Sequence, residues 1–562
     1  MNGQTGKRIV IVGGVAGGAS AAARLRRLDE TASIVLLERG EYISFANCGL
    51  PYYIGGEITG KSALTLQTPE SFRARFEVDV RVCNEAVAID REAREVEVCD
   101  RRTGQTYREP YDALILSTGA APLVPPIPGV DSERVFTLRN IPDTYRIREF
   151  MERERPRSAV VVGGGYIGVE MAENLTRAGL AVTIVEAQEQ VIAPLDYDMA
   201  CDVHRHIRDK GVTLLLGAAV SGIENTGDGL RVGVGDRTLE ADMLLLSVGV
   251  RPESAIAAAA GLAVNERGGV RVDARMRTSD PAIYAVGDMA EVEDYVSKTP
   301  AMIPLAGPAN KQGRIAADNI CGIPSSYSGT QGSSVLRVFD RTVAATGLNE
   351  KTAKRLQIPY EKSFTYPASH AGYYPGAEPM SVKLLFAPDT GKILGAQIVG
   401  GEGVDKRCDV IATAIRFGGT AADLEELELC YAPPYSSAKD PVNMAGFAAG
   451  NVLSGRVSLF HWHDVEAVLQ REDAVLLDVR TEGEYRRGHI EGSVNIPLDS
   501  LRERLAEVDA GKEIHVLCQV GLRGYLACCI LNGRGYRCRN LSGGYRLYAS
   551  VMEDKASQGP CC

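Results

Sequence analysis

Two distant segments of this chain repeat one pattern, and the repeat limits the fold more than any other feature. Lys7–Val12 reads as a short apolar strand, followed by the turn Gly13-Gly14-Val15-Ala16-Gly17-Gly18, a helix over Ala19–Leu28, and a strand Ser33–Leu37 ending in Glu38. The order recurs as strand Ala159–Val162, turn Gly163-Gly164-Gly165-Tyr166-Ile167-Gly168, helix Val169–Ala178, strand Val182–Val185 and Glu186. Glycines at such a turn let the backbone approach a pyrophosphate. The helix N-terminus meets its negative charge, and the acid bonds the ribose hydroxyls. Gly163, Gly165, Tyr166, Ile167, Gly168 and Glu186, with Gly249 from a later turn, are therefore the candidate nicotinamide-nucleotide residues. Glu186 repels a 2′-phosphate, which favours NADH over NADPH.

The repeat predicts two Rossmann-like domains in series. The first turn departs from G-x-G-x-x-G, because Val15 stands where the second glycine belongs. Three later segments complete its reading: Leu114–Ala120 (LILSTGA), Leu244–Pro252 (LLLSVGVRP) and Thr278–Asp288 (TSDPAIYAVGD). Together they resemble the marks of two-dinucleotide flavoproteins. The resemblance implies FAD at Gly13, Gly14, Ala16, Gly17, Gly18 and Glu38, with Ser117, Thr118 and Gly119 lining the site and Asp288 on the ribityl chain.

Soon after Glu38 comes Ser44-Phe45-Ala46-Asn47-Cys48-Gly49-Leu50-Pro51-Tyr52-Tyr53. This is where disulfide reductases place their redox cysteines, usually as C-x-x-x-x-C. Here the fifth residue after Cys48 is Tyr53, so Cys48 cannot form the internal dithiol. A single flavin-adjacent thiol can instead cycle through a sulfenate or a mixed disulfide with a small thiol. The segment resembles the coenzyme A disulfide reductases and their NADH oxidase and peroxidase relatives. Peroxidase relatives carry a histidine in the first glycine turn, where this chain has Ala16, which argues against peroxide chemistry.

Two further segments, His370–Gly376 (HAGYYPG) and Cys430–Ser436 (CYAPPYS), resemble the coenzyme A branch, which places there two tyrosines that reach the partner subunit's cysteine. The matches are Tyr373 and Tyr431, with Tyr374 and Tyr435 as neighbouring alternatives. The resemblance also implies a homodimer, and coenzyme A contacts at Arg24, Arg27, Ser44, Asn47 and Lys439. Arg24 and Arg27 lie one turn apart on the first helix, so both can face one anion.

Val475–Arg480 (VLLDVR), Glu484-Tyr485, Gly488-His489-Ile490 and Ser493–Pro497 (SVNIP) resemble rhodaneses. A strand Ile514–Leu517 delivers Cys518 into the loop Cys518-Gln519-Val520-Gly521-Leu522-Arg523, ahead of a helix. Amides of such a loop converge on sulfur and, with the helix N-terminus, favour a thiolate or a persulfide. Cys518 and Arg523 are the catalytic candidates here, while Cys528 and Cys529 on the next helix read as packing residues.

A chain of 562 residues exceeds one core. The expected organisation is α/β throughout its ligand-binding parts: an FAD domain at 1–150 and 265–325, an NAD(P)H domain at 151–264, and an α+β dimerisation domain at 326–449. A linker at 450–457, within the glycine-containing run Gly446–Gly455, a rhodanese domain at 458–555 and a tail at 556–562 complete it. Net charge of −10 gives no sign of a nucleic-acid surface. No stretch approaches a membrane span, and the run Ile9–Val12 is too brief for an export signal, so a cytoplasmic setting is expected. A reducing cytosol leaves the 13 cysteines without a structural disulfide network. Cys83, Cys99, Cys201, Cys321 and Cys408 read as inert packing, and the Cys561-Cys562 end as a tail. No metal site is expected.

The expected activity is NADH-driven reduction of a persulfide, polysulfide or coenzyme A disulfide through Cys48, with Cys518 handling sulfane sulfur. Two other readings are an NADH oxidase with an accessory rhodanese, and a sulfur-delivery protein with a regulatory flavin unit.

Overall fold

In the computed structural model, which describes residues 6–558, the two sequence repeats become two parallel sheets. Strand order in the first is Ile283–Ala285, Ala113–Leu116, Arg8–Val12, Ser33–Glu38, Asp79–Val82. In the second, Ala181–Val185, Ser158–Val162, Met243–Leu246 and Val135–Thr137 lie side by side. Apolar strands buried on both faces, such as Ile9–Val12 and Ala159–Val162, need helices over them, which parallel crossovers supply. Ala16–Leu28 starts three residues earlier than its glycine turn suggested, and it packs along Ala306–Ile320. The packing is backbone-close: a Cβ on Gly313 would stand 2.3 Å from the Gly17 carbonyl oxygen.

The chain divides into two compact units, residues 1–187 with 217–332, and residues 188–216 with 333–562. The first holds both glycine turns and Cys48. Residues 188–216, expected with the NAD(P)H segment, group with the second unit. The reason is visible in the helix Tyr197–Asp209. Its Asp198, with Asp196 just before the helix and Glu350, surrounds the fully buried Lys383 ammonium at 2.5–2.9 Å. Its Tyr197, His204 and Arg208 all bond the buried Asp554 carboxylate of the last described helix, Gly544–Ser557. Buried charges must be paired where they fold, and these pairs tie the helix to distant sequence.

The second unit contains an antiparallel sheet in the order Ser334–Val338, Arg341–Gly347, Ile393–Gly400, Ser381–Phe386, Glu361–Thr365. It also contains a parallel sheet in the order Leu459–Phe460, Cys538–Leu541, Glu513–Leu517, Ala474–Asp478, Val494–Asn495. One expectation is corrected here. The run Gly446–Gly455 is not an open linker, because Pro441–Leu453 is helical. Its glycines serve close packing: a Cβ on Gly450 would meet the Glu425 carboxylate at 1.9 Å, and one on Gly446 the Glu425 amide nitrogen at 2.9 Å.

Among the described residues no helix is long and apolar enough to cross a membrane. Of the cysteines read as packing, Cys83, Cys201, Cys408 and Cys528 are buried and Cys99 and Cys321 partly so, but Cys529 is exposed. Its helix, Leu522–Asn532, buries Cys528 and turns the next residue outward. Cys561 and Cys562 lie outside the described residues.

Candidate functional site

The two glycine turns are built alike. In each, the acid at the end of the second strand accepts a backbone N–H of the turn: Glu38 from Gly14 at 3.0 Å, Glu186 from Gly164 at 2.6 Å. Neither helix that follows carries a side-chain N-cap, so no side chain competes for the first-turn amides that would face an anion. Gly163 and Gly168 are forced by packing, since a Cβ on Gly168 would stand 1.9 Å from the Gly163 oxygen. Gly165 differs: nothing lies within 4 Å of its Cβ position, so its bareness leaves an open cradle beside the helix N-terminus. Gly249 is open in the same way, while Tyr166 and Ile167 begin the helix Tyr166–Arg177.

At the first turn, Ser117 lies against Gly13 and Gly17, and Thr118 Oγ1 donates to the Glu253 carbonyl at 2.6 Å. Gly119 has a positive φ of 68° with open space at its Cβ, and Gly18 packs on the Gly13 oxygen. Asp288 follows Gly287, whose N–H is held by the buried Gln312 at 2.7 Å. No hydrogen-bond donor is found on the Asp288 carboxyl among the described residues, and burial raises its pKa. An orphaned, half-buried acid beside a bare glycine turn fits the polyol end of a dinucleotide. These residues fit FAD.

Cys48 lies in the single turn Asn47–Gly49, before the helix Leu50–Ile54. The segment hangs on the first glycine turn through Ser44, whose N–H donates to the Gly14 carbonyl at 2.8 Å. Ser44 sits at φ 45°, an uncommon conformation for a non-glycine residue. Where an internal dithiol would need a second cysteine, Tyr53 is buried and meets Tyr145 edge-on, ring centroids 6.1 Å apart. Tyr52 donates to Glu170 at 3.1 Å. Burial, Glu170 and Asp288 together push the Cys48 thiol above its ordinary range.

Of the expected coenzyme A contacts, Asn47 and Arg27 are exposed in the first unit, and Lys439 is exposed in the second. Arg24 departs from expectation. It is bonded to Asp318 at 2.7 Å with little exposure, so it does not share a free cationic face with Arg27. The helix Ala306–Ile320 packs alongside, and its acid claims the guanidinium.

In the second unit the loops at 370–376 and 430–436 converge. The hydroxyls of Tyr373 and Tyr431 are 2.7 Å apart, with Tyr373 77% exposed and Tyr431 47%. Their hydrogen bond raises the Tyr373 pKa. Tyr374 instead packs edge-on against His370, and Tyr435 is exposed.

Cys518 is fully buried at the end of Glu513–Leu517, and its sulfur accepts the Gly521 N–H at 3.1 Å. Arg523 is bound through both guanidinium nitrogens to Glu484 at 2.7 Å, and that pairing drops the Glu484 carboxyl to about 2. Two supports were not assigned roles from sequence. Arg480, buried and forked onto Asp478, donates to Gln519 of the loop at 3.3 Å and stacks 4.0 Å over Tyr545. Tyr545 N–H in turn holds the Cys518 carbonyl at 2.7 Å. The charged ends of VLLDVR were the available signal, since a buried Asp-x-Arg must pair.

Comparison with known proteins covers most of the chain. Residues 7–313 match the pyridine nucleotide-disulphide oxidoreductase family, residues 334–441 its dimerisation domain, and residues 461–550 the rhodanese-like domain. The chain is 34% identical to the coenzyme A disulfide reductase of Staphylococcus aureus over 443 residues, 79% of this chain and 99% of that one. It superimposes on reduced CoADR-RHD of Bacillus anthracis with a TM-score of 0.96 at 52% identity, covering 98% of this chain and 99% of that one. The NAD-dependent persulfide reductase of A. fulgidus gives 0.89 at 37%, covering 96% and 100%.

Proposed function

Because the chain belongs to the pyridine nucleotide-disulphide oxidoreductase family, we propose that it reduces sulfur–sulfur bonds of coenzyme A persulfide, polysulfide and coenzyme A disulfide with electrons from NADH. Its rhodanese-like domain handles the sulfane sulfur. The observation that carries this reading is the lone thiol of Cys48, with buried Tyr53 where a dithiol partner would stand. A single thiol that reduces a sulfur–sulfur bond does so through a mixed disulfide with an external thiol, and coenzyme A is the one that these relatives carry in name.

In this reading the Cys48 thiolate attacks the coenzyme A sulfur of the persulfide. The sulfur–sulfur bond breaks, HS⁻ leaves, and a Cys48–coenzyme A mixed disulfide remains. Two electrons and a proton then return that disulfide to the Cys48 thiolate and free coenzyme A thiol. Bound FAD supplies the two-electron relay from NADH. Gly13, Gly14, Ala16, Gly17, Gly18, Glu38, Ser117, Thr118, Gly119 and Asp288 hold it, and Gly163, Gly165, Tyr166, Ile167, Gly168, Glu186 and Gly249 hold the nicotinamide nucleotide.

The functional assembly is a homodimer in which the hydrogen-bonded hydroxyl pair of Tyr373 and Tyr431 donates one hydrogen bond to sulfur at the partner subunit's Cys48. Arg27, Ser44, Asn47 and Lys439 contact coenzyme A, and Arg24 does so only after leaving Asp318. Cys518 and Arg523 load and release sulfane sulfur. The working compartment is the cytoplasm.

Anaerobic assay of the purified protein tests this. Coenzyme A persulfide should drive NADH oxidation with one sulfide released per NADH. NADH consumption that occurs only with oxygen would overturn the reading in favour of an oxidase.

A further inference from the structure

The loops that carry Tyr373 and Tyr431 are distant in sequence, and one buried cation lies between them. Arg407 projects from the helix Val404–Arg416 and is almost fully shielded from solvent, as are Ser369, Ser436 and Asp440 around it. Its Nη2 lies 3.0 Å from the Ser369 carbonyl oxygen, 3.3 Å from the Tyr435 carbonyl oxygen and 3.0 Å from the Ser436 hydroxyl. Asp440 balances the charge through Oδ2 at 3.0 Å and also accepts the Ser436 hydroxyl at 2.6 Å. Ser369 leads into the 370–376 loop, and Tyr435 and Ser436 end the 430–436 loop.

From this centre the contacts run outward to the tyrosines. The Ser369 hydroxyl is 3.1 Å from Nδ1 of the buried His370, whose Nε2 is 3.1 Å from the Pro375 carbonyl oxygen. A carbonyl only accepts, so Nε2 carries a proton, and the ring ties the two ends of the turn together around Tyr373. The Ala371 N–H donates to the Ser436 carbonyl at 3.0 Å and joins one loop directly to the other. The Tyr435 and Ser436 N–H groups both return to the Ala432 carbonyl, at 2.9 and 3.1 Å, which closes the turn beside Tyr431. Both tyrosine rings are exposed, so the backbones of the two loops set the meeting of their hydroxyls.

Arginine suits this place for a physical reason. Buried carbonyls need donors, and a planar guanidinium serves several directions at once, which an ammonium on a flexible stem does not. Gly403, at φ 79°, leaves the room: a Cβ there would stand 2.2 Å from Arg407 Nη1.

We propose that Arg407 is the positioning residue of the tyrosine pair. Its guanidinium, neutralised by Asp440, holds the loops at 369–376 and 430–436 in the register that brings the two hydroxyls together. It acts through the loops and not on sulfur. The proposal rests on the reading of Tyr373 and Tyr431 as the donor pair toward the partner subunit's Cys48.

The test uses the full chain with bound FAD. Arg407→Lys keeps the charge but cannot span both loops, so kcat/KM for coenzyme A persulfide should fall by about tenfold. Anaerobic flavin reduction by NADH should keep its rate. In a chain that already carries Tyr373→Phe and Tyr431→Phe, Arg407→Lys should cost less than about twofold, because the pair it positions is gone. An equal loss in both backgrounds would overturn the proposal, since Arg407 would then serve the fold or another step. If the two tyrosine changes leave turnover intact, the tyrosine reading fails by itself, and amide hydrogen exchange still decides the role of Arg407. Exchange at Ala371 and Ser436 should quicken by about tenfold or more in Arg407→Lys, and unchanged protection would sink the proposal. Where Arg407→Lys unfolds, Arg407→Met with Asp440→Asn takes its place in both comparisons. That pair removes both buried charges and keeps an N-cap for the helix Pro441–Leu453.

Discussion

Tyr373 and Tyr431 share a 2.7 Å hydrogen bond between their hydroxyls although they are 58 positions apart in sequence. One proton is shared between them, so only one hydroxyl at a time can donate outward to a sulfur while the other supports it.

Removing either hydroxyl should therefore cost nearly what removing both costs. Tyr373→Phe and Tyr431→Phe should each slow persulfide turnover by roughly tenfold, about the worth of one hydrogen bond. The double variant should fall less than the product of the two, in a double-mutant cycle of kcat/KM. Unchanged flavin absorbance would show that the fold is intact.

Gly165 and Gly168 should respond oppositely to alanine. The open cradle at Gly165 admits a methyl group, so Gly165→Ala should leave the melting temperature nearly unchanged and raise the KM for NADH by about tenfold or more. Gly168→Ala sets a Cβ 1.9 Å from a backbone oxygen and should cost about 1–3 kcal/mol of stability, read by thermal denaturation.

Glu170 is one of the negative charges that raise the Cys48 thiol, after burial. A neutral side chain there favours the thiolate. Glu170→Gln should move the pH profile of Cys48 alkylation by iodoacetamide to lower pH. The rate near neutrality should increase severalfold, with Cys48→Ser as the blank.

The Arg523–Glu484 fork should hold through the neutral range. With the Glu484 carboxyl at about 2, below its free value of about 4.3, the pair is fully formed above the free value and is lost only as pH falls through the lower one. Sulfur transfer from Cys518 to cyanide should show no inflection from this pair between about pH 5 and 8. Arg523→Lys keeps the charge but loses the planar fork, and should slow that transfer by roughly tenfold or more.

Much of the chemistry was legible in the chain alone. Strand, glycine turn, helix and acid are consecutive, and backbone sterics with 3.6- and 2-residue periodicity dictate them locally. That suffices to predict the two dinucleotide folds and to single out Cys48 and Cys518. What required the tertiary structure were choices between equivalent residues. Four tyrosines lay in the two loops, and only folding joined Tyr373 to Tyr431 and sent Tyr374 to His370. Arg24 and Arg27 looked interchangeable until Asp318 took one of them. Gly446 and Gly450 read as part of a linker, yet Gly446 lies against the backbone of the helix Ala421–Glu426, which leaves no room for a Cβ there. Residues 188–216 followed buried ion pairs rather than chain neighbours. Local order is set by the bonded backbone and its nearest neighbours. Partners of buried charges are set by segments far away along the chain, as His204 and Asp554 are, and no local spacing encodes them.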